Sequence, residues 1–188
     1  LDLECSPIPM ITGRLGTGNQ YDLFPWFYHP IIAPKSNHPV VKNLERINLL
    51  FPSTIDTFRT QTDVKKTILL KSSQYSRIQL VPTMLNFEIL RYDPDKSKYN
   101  KGGQPVAVLL EGVFPSLYKN RVPESMIENL QQLGQSYLDK SVPTKMMVVS
   151  DGDAIRNLIV DRENQQVKPL GFNQYDNRTY GNKDFSIN

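Results

Sequence analysis

The sequence predicts an α/β fold built on a mostly parallel sheet. Three apolar runs and one amphipathic segment between two of them carry that prediction. KKTILLKSS (65–73), QPVAVLLEG (104–112) and TKMMVVSDG (144–152) each open on polar residues, run continuously apolar and close on small or acidic residues. Continuous rather than alternating runs suit strands buried on both faces, as in a parallel sheet covered by helices. Between the second and third runs lies PESMIENLQQLGQSYL (123–138). Its Met126, Ile127, Leu130, Leu133 and Tyr137 recur at three- and four-residue steps, with Pro123 near the first turn. That spacing predicts an amphipathic helix, and strand–helix–strand in this order predicts a right-handed βαβ unit.

The remaining segments are less regular. RINLLFPSTID (46–56) places Ile47, Leu49 and Phe51 on one face, and LNFEILRY (85–92) does the same with Leu85, Phe87 and Ile89. Period two predicts half-exposed or antiparallel strands for both. DPDKSKYNKGGQ (93–104) is nearly devoid of apolar residues and reads as a mobile surface loop. The first 40 residues hold Pro7, Pro9, Pro25, Pro30, Pro34 and Pro39. They predict an extended proline-rich arm packed on a single domain spanning 1–188. GNKDF (181–185) reads as a turn returning Phe185 to the core.

Composition bounds the function classes. The 188 residues are 39% hydrophobic and 22% charged, which allows a real core and argues against disorder of the whole chain. The net charge, 22 − 19 = +3, is spread without a basic run, so no nucleic-acid partner is expected. The single cysteine, Cys5, excludes an internal disulfide and a thiolate-rich zinc site. No apolar run approaches the roughly 20 residues that span a bilayer, and no signal peptide is visible. A start at Leu1 and a stop at Asn188 read as a fragment of something longer.

The candidate chemistry lies after the predicted strands, where open α/β sheets bind ligands. Asp151 and Asp153, with Ser150 beside them and Glu111 ending the neighbouring run, can hold a cation through oxygen ligands. The favoured reading of the same residues is a helix cap and turn, with Asp153 capping 154–160 and Gly152 supplying the turn. The further aspartates that a calcium loop or metal-dependent phosphatase needs are missing, so no metal is assigned. Ser72 and Ser73, in SSQYSR (72–77), can cradle an anion or simply lead out of a strand. His29 and His38 both precede proline and lie near no nucleophilic-serine motif, so no catalytic residue is assigned. Trp26, Phe27 and Tyr28 form an aromatic cluster that serves either as a docking patch for a partner or as a buried anchor. Asn120 and Arg121 can reach a carboxylate or phosphate, or serve as donors between elements.

Taken together, the stretches CSPIPMITG, FPWFYHP, HPVVKNLERINLLFPSTID, KKTILLKSSQYSR, PVAVLLEGVFPSLYKNR, VVSDGDAIRN, PLGFNQY and GNKDFSIN resemble a known family. It is GldG, the gliding-motility-associated ABC transporter auxiliary, or substrate-binding, proteins of Bacteroidetes. The resemblance runs in order over nearly the whole chain. It implies a Rossmann-like three-layer core, shared with an intraflagellar transport protein. It implies a membrane-anchored parent at the periplasmic face of the inner membrane, with an ABC permease and its ATPase as partners. It carries over no catalytic residue and no cofactor. The leading expectation is therefore a non-enzymatic auxiliary module acting through protein or cargo contacts, with Trp26, Phe27 and Tyr28 as the contact. One alternative is a small-ligand receptor using Ser72, Ser73, Glu111, Asp151 and Asp153. Another is a metal-dependent hydrolase on the three carboxylates.

Overall fold

The computed structural model describes residues 1–58, 62–161, 163 and 166–188. Its strands are β1 (Cys5–Leu15), β2 (Gly18–Ile32), β3 (Ile47–Asn48), β4 (Lys65–Lys71), β5 (Pro105–Gly112), β6 (Thr144–Val149), β7 (Ile159–Asp161), β8 (Gln166–Val167), β9 (Phe172–Asn173) and β10 (Arg178–Thr179). Helix α1 (Glu124–Gln132) lies between β5 and β6, and α2 (Asn182–Ile187) follows β10. The sheets have the orders β1-β2-β3, β4-β5-β6, β7-β8 and β9-β10.

The expected Rossmann-like parallel core is not what forms. The pairs β1–β2, β2–β3, β7–β8 and β9–β10 are antiparallel. The three apolar runs do share one sheet, but their contacts also run antiparallel. Glu111, near the end of β5, meets Lys65 and Lys145 at the starts of β4 and β6. At the other end of β5, the Ser72 N–H donates to the Gln104 carbonyl and the Ser150 N–H to the Val106 carbonyl. The connections explain the sense. After β5 the chain is zipped to the segment before β6: Ser116 N–H donates to Asp139 O, Ser141 N–H to Phe114 O, and Pro115 bridges Lys140. The β4–β5 connection is pinched in the same way by Gly103 N–H on Ser73 O and Lys101 N–H on Ser76 O. A connection pinched at its base must start the next strand where the last one ended. A continuous apolar run reports burial and is silent on direction. Even burial holds only for part of the set: Val106–Leu109 are buried, whereas Thr144–Val148 are exposed.

Helix α1 forms where the spacing predicts it and stops sooner. Leu133 is its C-cap, Gly134 takes φ +70°, and the Gln135 N–H reaches the Leu130 carbonyl while the Gly134 N–H reaches Gln131. This Schellman closure ends the helix at the one residue able to turn left-handed without a Cβ penalty. None of its residues is fully buried, and of its stripe Ile127 and Leu130 are half-buried.

The proline-rich first segment is a hairpin. β1 and β2 pair from Cys5↔Pro30 to Leu15↔Gly18, with shifts between Cys5 and Pro7 and between Ile11 and Gly13. Proline lacks a ladder donor, and the irregular β1–β2 pairing, which β3 joins only at Ile31 and Ile32, tolerates it. The 46–56 segment keeps its period for Ile47 and Leu49, both fully buried, while Phe51 turns out at φ +53°. The 85–92 segment is a 3-10 turn at Phe87–Leu90 rather than a strand, capped by Asn86. The polar loop 93–104 hides Tyr99, which packs on Phe27 with ring centroids 5.9 Å apart. The expected turn at 181–185 is α2, and it does bury Phe185.

The chain divides into two compact units. The first is Leu1–Asp56, Ile68–Val108 and Val149–Asn188, and the second is Thr57–Thr67 and Leu109–Val148. The first unit holds the core: Ile32, Val41, Ile47, Leu49, Leu69, Leu70, Val108 and Phe185. Asn182 ties its pieces together, with Nδ2 donating to Asn48 O (2.7 Å) and Ala154 O (3.1 Å) and Oδ1 accepting from Asn48 N–H (3.0 Å). Among the described residues, Leu109 is the one buried apolar residue of the second unit.

Candidate functional site

The residues expected to bind a ligand at strand ends bond to their own chain. Asp151 is buried and accepts from Leu50 N–H at 2.5 Å and Asp153 N–H at 2.8 Å. It is therefore Asp151, not Asp153, that caps, and what it caps is a 3-10 turn at Gly152–Ile155 rather than a helix over 154–160. Burial raises its pKa above the usual carboxylate range, and the charge of Asp153 adds to this against the two N–H donors. Asp153 pairs with Arg156 at 3.2 Å. Ser73 is buried on Asp2, donating through N–H (2.8 Å) and Oγ (2.5 Å). Ser72 Oγ lies 2.7 Å from Ser76 Oγ and accepts from Gln104 N–H.

Antiparallel pairing also separates the set. Glu111 lies 111 − 106 = 5 residues along β5 from Val106, about 17 Å at the rise of a strand. It is engaged by Lys145 at 2.9 Å and Lys65 at 3.7 Å. Among the described residues no group of three His, Cys, Asp or Glu side chains is placed to hold a metal ion.

The aromatic cluster splits. Trp26 and Phe27 are core residues, Trp26 packing on Tyr28 (5.1 Å) and Phe87 (5.6 Å). Tyr28 is half-buried and stands on the wall of a groove of about 580 Å³. Phe51, Ile78, Leu80, Val81 and Leu85 line the same groove. Leu80 and Val81 are 83% and 85% exposed, so they add nothing to the core of this unit. A polar clip holds the loop in place. The Tyr28 hydroxyl donates to Gln79 Oε1 at 3.1 Å, and Gln79 Nε2 donates to Thr83 Oγ1 at 2.6 Å. Phe51 backs Tyr28 at 5.6 Å and meets the edge of His29 at 5.0 Å. Burial lowers the His29 pKa to about 4, with the charge of Asp153 opposing, so the ring is neutral at pH 7.

This groove has the chemistry of an apolar binding surface, with the Arg77 side chain in its lining. Sequence reading placed an aromatic contact at 26–28 and missed 78–85. The signal was present in IQLVPTML (78–85), an apolar run broken by Pro82 and so unsuited to a central strand. Cys5 offers no nucleophile: burial first, and then Asp2, push its thiol up to about 12.

Among the described residues no helix is long and apolar enough to cross a membrane. No curated protein and no solved structure matches this chain. A family model described as an ABC-type uncharacterized transport system matches residues 1–188, and the chain belongs to that family.

Proposed function

We propose that this chain serves its ABC-type transport system as a non-enzymatic docking module. In this reading the groove of residues 78–85 receives an apolar segment of another subunit of the same system. The observation that carries the reading is the pair of large aliphatic side chains, Leu80 and Val81, held almost fully exposed beside Tyr28 and Phe51. Exposed apolar surface of this kind, rimmed by an ordered polar clip, is the usual mark of an interaction site. Membership of a transport-system family supports a fellow subunit as the occupant. The internal bonding of Ser72, Ser73, Asp151 and Asp153 weighs against both a strand-end ligand receptor and a metal hydrolase. The sequence resemblance supports the extracytoplasmic face of the inner membrane, an ABC permease and ATPase as partners, and a role in gliding motility.

The test is co-purification of the full-length parent with the permease and ATPase, with and without L80K/V81K. We expect the wild type to bring both subunits down and the variant to lose them while its circular dichroism is unchanged. Equal recovery with both proteins defeats the groove as the contact.

A further inference from the structure

The groove of residues 78–85 is apolar but not neutral. Among the described residues that line it there is no Asp or Glu, and the one charged side chain is Arg77. The backbone of Arg77 is fixed from two sides. Its N–H donates to Leu1 O at 2.8 Å, the Leu1 amine donates to Arg77 O at 3.0 Å, and the preceding Ser76 bridges Asp2. The guanidinium lies over the ring of Tyr99, 5.4 Å from its centroid. Tyr99 is buried and packs on Phe27. A ring beneath one face of the guanidinium leaves its N–H edge for bonding, and that edge is a fork that matches a carboxylate.

Arg77 is half-buried, and among the described residues no carboxylate forms an ion pair with it. Arg77 also lines a smaller cavity that holds Glu88, Asp93 and Asp95. There Glu88 is paired with Arg91 at 3.4 Å, and Asp95 with Lys98 at 3.7 Å and with the Ser97 hydroxyl. Asp2, close by in the fold, is held by the N–H and hydroxyl of Ser73. A partly desolvated guanidinium without a counter-charge is costly to the free protein, and a partner that supplies the charge relieves that cost.

We propose that the segment docking in this groove carries an Asp or Glu beside its apolar residues, and that this carboxylate pairs with Arg77. The inference rests on the docking reading above and specifies the chemistry of the partner. Apolar side chains of the segment cover Leu80 and Val81 between Tyr28 and Phe51, and the ion pair fixes which way the segment lies. A segment with Lys or Arg at that point would set like charges together and be rejected.

Charge exchange in the full-length parent, co-expressed with the permease, tests this. R77E should cut recovery of the permease by about tenfold or more, with an unchanged circular dichroism spectrum. Permease variants, each with one Asp or Glu changed to Lys, are then paired with R77E. One of them should restore recovery, and that same variant should be poorly recovered with the wild-type chain. Added salt should weaken the wild-type complex more steeply than the R77Q complex. Recovery with R77E equal to that of the wild type, or a full set of permease variants with none that restores it, overturns the ion pair. L80K/V81K separates this failure from failure of the docking reading. If L80K/V81K loses the permease and R77E does not, the groove stands and the acidic partner falls. If neither variant loses it, or the wild type recovers none, both fall.

Discussion

Asp151 was legible as a polar residue after a strand, and its work is structural. Asp151→Ala leaves the Leu50 and Asp153 N–H groups without their acceptor and should cost about 1–3 kcal/mol of stability. Asp151→Asn keeps an acceptor oxygen and should cost less; urea unfolding of the two variants checks this. Two groups of opposite sign set the acid behaviour. Asp151 holds its proton more tightly when folded, so its contribution is greatest below the unfolded carboxylate value and falls as pH rises through the raised one. His29 is lowered from 6.5 to about 4. Its contribution is complete above pH 6.5 and is lost as pH falls toward 4. Between pH 7 and 5 the His29 contribution falls, which acts to lower the wild-type Tm. In His29→Gln that fall should be smaller. Cys5 should react slowly with a thiol reagent at pH 8 in the folded chain and rapidly in denaturant, because its thiol is pushed up to about 12.

At the scale of elements, glycines and pinched connections decide where the chain turns. Gly134 takes φ +70° in open space, so Gly134→Ala should cost only the left-handed penalty, about 1–2 kcal/mol. Gly171 takes φ +82°, and a Cβ there meets the Tyr180 carbonyl at 2.6 Å. Gly171→Ala should therefore lower Tm by more than Gly134→Ala does, which paired thermal melts will show. Helix α1 was legible because its spacing is local and its stop is a glycine one residue past the C-cap. The 3-10 turn at Phe87–Leu90 was not. Alternating Leu85, Phe87 and Ile89 imitate a strand, whereas the Asn86 cap and the packing of Phe87 on Trp26 at 5.6 Å favour the turn.

At the scale of the whole molecule, buried apolar surface is concentrated in the first of the two units. Amide exchange should follow it. Val106–Leu109, in the buried middle of β5, should be the most protected, and α1, with no buried residue, among the least. Equal protection of the two segments would contradict this account. Membership of an ABC-type transport family was readable from stretches spread along the chain. The site was not, because the groove unites Tyr28, Phe51 and 78–85, which no local pattern connects.

The amino-acid order alone determined that the three apolar runs become strands, where α1 lies, that Phe185 returns to the core, and that no disulfide forms within these 188 residues. Each of these follows from side-chain period or composition, which act over a few residues. Strand direction, the fate of each aromatic in the 26–28 cluster and the bonding of the strand-end carboxylates required the folded chain. An apolar run has the same transfer free energy whichever way its neighbour points. The sense of the β4-β5-β6 sheet came instead from hydrogen bonds that pinch residues 72–76 to 101–104 and 114–116 to 139–141.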